Sequence, residues 1–244
     1  DILSPACALF LDFDGTLVDI APEPGAVVVH CSLVPTLTAF QRYLGGAVAV
    51  VSGRPIRDID QYLAPLHLPV AGVHGAERRA ASGAVDRLPH HPLEAVEAAA
   101  QALAVRDPRL LVEHKSRSVA LHYRQAPELE EMCLDAMQDA VDRSPGLTLL
   151  PGKVVVGAKP GSASKGSAIE AFLREPPFAG RLPVFVGDDV TDEAGFAVVQ
   201  RLGGLGVKVG EGATVARQRL PDPEALRREF ERAVARKVPQ QAAA

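Results

Sequence analysis

Along the first third of the chain, apolar runs with no polar face alternate with segments that are apolar on one side only. CALFLDFD (7–14), AVAVVSGR (47–54) and LPVAGVHGAE (68–77) are nearly continuous apolar stretches ending in polar residues and glycine. A strand buried on both faces of a sheet reads this way. Between them, SLVPTLTAFQRYL (32–44) places Leu33, Leu37, Phe40 and Leu44 on one helical face. IRDIDQYLA follows Pro55 and reads as a second helix. The alternation predicts an α/β fold, a parallel sheet covered by helices, with functional groups gathered at the carboxyl ends of its strands.

Near residue 85 the rhythm changes. Residues 92–105 are helical, 109–124 read as two strands joined by a polar turn at Lys115 to Arg117, and 127–141 form another helix. Residues 147–158 then read as a hairpin around Pro151-Gly152. Helix-strand-strand thus occurs twice, a weak repeat that predicts an α+β insert over 82–157. The α/β rhythm resumes with a helix at 164–175, the strand PVFVGDD, the helix TDEAGFAVVQRL and the strand GVKVG. A terminal helix, PEALRREFERAVARK, leads into a polar tail. Residues 1–81 and 158–244 are therefore expected to make one discontinuous core.

Composition narrows the function classes. A net charge of −4 argues against nucleic acid, which selects a basic stripe. Cys7, Cys31 and Cys133 are odd in number and widely spaced, with no zinc or disulfide pattern, which favours a reducing cytoplasm. No apolar run reaches the ~18 residues that span a bilayer, so no membrane partner is expected. The chain starts at Asp1 without Met, consistent with trimming. Trp is absent and aromatics make up 5%, so a bound sugar would be read by polar groups rather than by stacking.

The chemistry concentrates at strand ends. Asp12 and Asp14 are two apart, so they share a face with Phe13 turned away. Two carboxylates that close call for a cation or a shared proton, and the Gly15-Thr16 turn could aim amides at an anion. A second apolar strand ends at Gly187 and delivers Asp188 and Asp189. Paired acids on two strands suit a hard cation such as Mg²⁺. Asp192 and Glu193 read either as the first turn of the next helix, where acids suit the dipole, or as further acids touching the site. Ser52 and the Gly53 amide end a third strand and suit a phosphate oxygen. Arg54 is either a surface or a pairing residue. GSASKGSAI is not a P-loop, because Lys165 precedes Gly166 instead of following a glycine. Lys165 instead starts a helix, where an ammonium makes sense beside a bound anion.

Taken together, DFDGT, VSGR, SKGSAI and VGDDVTDE resemble the four ordered motifs of the haloacid dehalogenase-like phosphatases. The longer wording of FLDFDGTLVDIAPEP, HGAE, EHKSRSVALHYR and GDDVTDE is similar to the trehalose-6-phosphate phosphatase family. That resemblance implies a Rossmann-like core with an α/β cap inserted between the second and third motifs. It implies Asp12 as a nucleophile forming an aspartyl-phosphate and Asp14 as the acid/base. Mg²⁺ would be held by Asp12, the Asp14 backbone carbonyl and Asp188, with Asp189 close by. Ser52, Gly53 and Lys165 would hold the phosphoryl group, with Arg54, Glu113 and Lys115 on the substrate side. His122 to Arg124 match a further motif of the family. Where VVVGAKP has Gly157 the family usually has an acid for the disaccharide, which leaves open another sugar phosphate, of sucrose phosphate or mannosyl ester type. The expected partner is a small sugar phosphate, and the expected state is a cytoplasmic monomer. A phosphoaspartate receiver domain is the rival in the binding class; the insert and the Ser52/Lys165 pair argue against it.

Overall fold

The computed structural model describes residues 4–21, 24–115, 117–152 and 154–237. Its strands are β1 (Cys7–Leu11), β2 (Val48–Val51), β3 (Val70–Gly72), β4 (Glu77–Arg79), β5 (Val85–Arg87), β6 (Leu111–Lys115), β7 (Ser118–His122), β8 (Leu147–Gly152), β9 (Val155–Pro160), β10 (Leu182–Gly187), β11 (Leu205–Val209) and β12 (Gln218–Leu220). The helices are α1 (Leu33–Tyr43), α2 (Ile56–Leu63), α3 (Glu94–Arg106), α4 (Glu130–Asp142), α5 (Lys165–Phe172), α6 (Glu193–Arg201) and α7 (Pro223–Lys237).

The larger sheet runs β12-β11-β10-β1-β2-β3-β4-β5. It is parallel from β12 to β3, and β4 and β5 add an antiparallel edge. β1 lies at its centre and is buried throughout, which is why CALFL carries no polar face. Phe10 packs with Phe172 of α5 and Phe178, Phe185 packs with Phe196 of α6, and Phe40 of α1 meets Phe230 of α7 edge to face. One apolar cluster joins these helices to the sheet.

The smaller sheet is antiparallel, in the order β6-β7-β9-β8. Val119, Leu121, Val156 and Ala158 alternate onto one of its faces and form a second cluster with Val96, Ala100 and Leu103 of α3 and Cys133, Met137 and Ala140 of α4. The opposite face carries Glu113, Ala120, Gly157 and Leu150 side by side on consecutive strands.

The twofold helix-strand-strand order is present as α3-β6-β7 and α4-β8-β9. The hairpin around Pro151-Gly152 is present as β8 and β9, with these two residues paired opposite Val156 and Val155 at its end. Two features departed from the sequence reading. β5 lies beyond residue 82 yet pairs with β4 at the edge of the larger sheet, and β12 adds a short strand at the other edge. Each has three residues, too few for an alternation to register. Among the described residues no helix is long and apolar enough to cross a membrane.

Candidate active site

Register brings the first acids together. β1 and β10 run parallel with Leu11 opposite Val186, so Asp12 follows β1 directly and Asp188 follows β10 one residue later, after Gly187, at the same end of the sheet. Asp12 stays tied to the neighbouring strand through its amide, which donates to the Val186 carbonyl at 2.9 Å. Its side chain is buried, as is Lys165, whose Nζ lies 2.7 Å from Asp12 Oδ1 and 2.7 Å from Asp192 Oδ1. A capping box between Ser164 and Ser167 fixes the start of α5 and hence the base of the Lys165 side chain.

The structure decides between the two sequence readings of Asp192. It does sit at a helix start, but its side chain is fully buried in the site rather than left to the dipole. One oxygen accepts from Lys165, and the other accepts from the amides of Asp188 at 3.0 Å and Asp189 at 2.9 Å. Asp12, Asp188 and Asp192 form a carboxylate triple whose ligand atoms lie within 4.8 Å of one another. Asp189, expected near the metal, is outside that triple and caps the turn at Val190–Asp192.

Asp14 turns away to a different cation. The Arg54 guanidinium grips it in a fork, Nε to Oδ2 at 2.6 Å and Nη2 to Oδ1 at 2.7 Å. That guanidinium also lies over the rings of Phe13 and Tyr62. Arg54 is thus a pairing residue, engaged with Asp14 rather than with open solvent. Ser52 is buried at the end of β2, and its hydroxyl accepts from the Arg54 amide at 3.1 Å. The Gly15-Thr16 amides do not point outward as expected: they donate to the Val18 and Phe13 carbonyls and close the turn. Gly15 is nonetheless required there. Its φ is +75°, and a Cβ would fall 2.1 Å from Asp188 Oδ2.

Two further groups were not anticipated. The Thr16 hydroxyl donates to Asp188 Oδ1 at 3.1 Å, and the buried Lys208 ammonium donates to the Asp188 carbonyl. A lysine between two valines in GVKVG was the readable signal for the second; a threonine in a turn gives none.

In the smaller sheet, Glu113 pairs with His122, Oε2 to Nε2 at 3.0 Å, on adjacent strands. Lys115 closes β6, and its side chain lies outside the described residues. The sheet approaches the acids through β8, whose Gly152 lies against Asp189, and through Arg124, which donates to the Ala21 carbonyl at 3.0 Å.

Burial, followed by the charge of Asp192, holds the Asp12 carboxyl well above its usual range. The same causes push Asp188 up to about 6. For Lys165, burial opposes the charge, but Asp12 and Asp192 outweigh it and keep the ammonium protonated. A buried acid cluster with excess negative charge and only hard oxygen donors fits a small divalent cation, since no His or Cys belongs to the group.

The comparisons bear on this geometry. Residues 10–222 match the family model described as trehalose-phosphatase. The chain is 44% identical over 220 residues to a trehalose-6-phosphate phosphatase of Escherichia coli K12, covering 89% of this chain and 83% of that protein. Among solved structures, the C-terminal domain of a C. albicans trehalose-6-phosphate phosphatase superposes with a TM-score of 0.87 at 20% identity, covering 95% of this chain and 93% of that one. BT1666 of Bacteroides thetaiotaomicron, a phosphatase of the haloalkanoate (HAD) superfamily, superposes with a TM-score of 0.59 at 16% identity, over 92% of this chain and 93% of that one. The two structural likenesses speak to the fold alone. With a family match that spans both halves of the larger sheet and takes in every acid of the buried cluster, the chain belongs to the trehalose-phosphatase family, phosphoric monoester hydrolases with the haloacid dehalogenase-like fold.

Proposed function

We propose that the protein hydrolyses trehalose 6-phosphate to trehalose and inorganic phosphate, with Mg²⁺, through an aspartyl-phosphate on Asp12. The observation that carries this reading is the buried Asp12 carboxylate held against Lys165 beside Asp188 and Asp192. A carboxylate so placed can attack phosphorus while an ammonium offsets the charge of the phosphoryl oxygens.

In the first step an Asp12 oxygen forms a bond to phosphorus as the bond from phosphorus to the sugar oxygen breaks. Asp14 gives that oxygen its proton, because a sugar alkoxide leaves poorly. In the second step water attacks the aspartyl-phosphate, Asp14 takes the water's proton, and phosphate leaves with the Asp12 carboxylate restored. The Arg54 fork holds the Asp14 carboxylate in place between these transfers. Ser52, the Gly53 amide and Lys165 hold phosphoryl oxygens. Mg²⁺ would be held by Asp12, the Asp14 carbonyl and Asp188, with Asp192 beside them, and supplies charge neutralisation for the phosphoryl group.

The insert over 82–157 is read as a cap over a core of 1–81 and 158–244, with β5 at its start lying on the larger sheet and the end of β9 continuing the smaller one. Glu113, on the face of its sheet away from the helices, and Lys115 are assigned to the sugar hydroxyls. Closure of this cap excludes water from the aspartyl-phosphate until the sugar departs. A cytoplasmic, monomeric enzyme acting on a small sugar phosphate, with no nucleic acid or membrane partner, completes the reading. One observation favours a second sugar: the row Glu113, Ala120, Gly157, Leu150 offers one charged group and no side chain at Gly157. Sucrose phosphate or a mannosyl ester is therefore the alternative. Release of inorganic phosphate, with and without Mg²⁺, across a panel of these esters tests both. Fastest Mg²⁺-dependent release from trehalose 6-phosphate supports the first reading, and no release from any ester sinks both.

A further inference from the structure

We infer that His74 is a positioning residue of the phosphate-holding turn, its imidazole ring fixing the shape of Ser52-Gly53. This rests on the reading of Ser52 and Gly53 given above. The chain after β3 forms a tight turn at Val73–Gly75 in which Val73 and His74 both take left-handed backbone angles, with φ of 50° and 54°. A β-branched residue in that region is rare, and two consecutive non-glycine residues there persist only where the surroundings dictate them. Those surroundings are the candidate site. The Val73 amide donates to the Arg54 carbonyl at 3.0 Å, and the His74 amide donates to the Ser52 carbonyl at 2.9 Å.

The ring completes the grip. It lies so close to Gly53 that a Cβ there would fall 2.6 Å from both Cε1 and Nε2 of His74. On its other side the turn meets the segment that presents Lys165, since a Cβ on Gly75 would fall 2.6 Å from the Ser164 carbonyl oxygen. One strained turn therefore touches two of the segments assigned to the phosphoryl group, the 52–54 turn and the start of α5. The imidazole packs directly on Gly53 and so restricts the positions that its backbone can take.

The test is the inhibition constant of inorganic phosphate, measured with saturating Mg²⁺ on the wild type, His74→Ala, His74→Gly and Ser52→Ala, with circular dichroism confirming that each is folded. His74→Gly takes the left-handed backbone angle without strain while removing the ring, so it stays informative should His74→Ala fold poorly. The expected result is a constant about tenfold weaker in both His74 variants, the loss of one well-aligned hydrogen bond to a charged group, and weaker also in Ser52→Ala. Wild-type phosphate binding by His74→Gly overturns the role of the ring. Unchanged binding by Ser52→Ala removes the phosphate-holding turn itself, and this inference with it.

Discussion

Replacing Asp192 with Asn separates charge from hydrogen bonding at the centre of the site. At an effective dielectric of about 20, the Lys165–Asp192 pair at 2.7 Å is worth roughly 6 kcal/mol. Repulsion of Asp192 from Asp12 and from Asp188, with ligand atoms within 4.8 Å, costs at least about 3.5 kcal/mol each on the same basis. Without a metal, losing the charge therefore comes out near zero, and the acceptors decide the outcome. Asp192 serves Lys165 with one oxygen and the amides of Asp188 and Asp189 with the other. Asn has a single oxygen and sets an NH₂ against the remaining donors. Leaving those buried donors unsatisfied costs about 2–3 kcal/mol. At 2–4 °C per kcal/mol for a chain of this size, Tm in EDTA falls by about 5–10 °C. Thermal unfolding followed by circular dichroism reads this directly. Added Mg²⁺ then raises the Tm of the variant less than that of the wild type, because the cluster has lost a negative charge beside the ion. A variant melting within about 1 °C of wild type in EDTA would show that the hydrogen-bond reasoning is wrong.

Three further outcomes follow from the same geometry. Gly15→Ala drives a Cβ into Asp188 at 2.1 Å and should lower kcat/KM for phosphate release about a hundredfold, the scale of a misplaced catalytic group; wild-type turnover would contradict the packing. Glu113→Ala should raise KM for the sugar phosphate about tenfold, as a lost hydrogen bond to a charged group does, while sparing a small aryl phosphate; equal losses on both remove Glu113 from sugar recognition. Away from the site, hydrogen bonds from the Arg79 guanidinium lower the Asp60 carboxyl pKa. A lowered folded pKa means the pair stabilises fully above the unfolded value of about 3.9 and fades as pH falls through the folded one. Asp60→Asn should therefore cost about 1 kcal/mol at neutral pH and progressively less in acid, which a Tm series against pH measures; a constant difference down to acid pH would refute it.

How much of this could be read from the chain depends on where each signal lies. CALFL, VAVV and PVFVG have no polar face, and only a strand buried on both sides explains such runs, so the sheet centre was legible. Asp12 and Asp188 were legible for the same reason, as acids placed just where an apolar strand stops. Asp192 was not, because its burial is set by Lys165, which lies 27 residues away along the chain. Seen locally, an acid at a helix start is explained by the dipole alone. Arg54 gave no sign of its partner, since the fork to Asp14 spans 40 residues and depends on β1 and β2 being neighbours. The turn amides of Gly15 and Thr16 were misread because a glycine turn looks the same whether its N–H groups face an anion or close on Val18 and Phe13. In the smaller sheet the strands were legible, and the structure shows Val119, Leu121, Val156 and Ala158 on its buried face. The pairing of Glu113 with His122 needed the register, which the sequence does not state.

The central claim is that Asp12 carries the phosphoryl group during turnover. Rapid acid quenching of the enzyme during turnover of trehalose 6-phosphate with Mg²⁺, followed by mass spectrometry of its peptides, tests it most directly. The account predicts one added phosphoryl group on the peptide containing Asp12, absent from Asp12→Asn, which no longer releases phosphate. A phosphoryl group on any other residue, or wild-type turnover by Asp12→Asn, would contradict it.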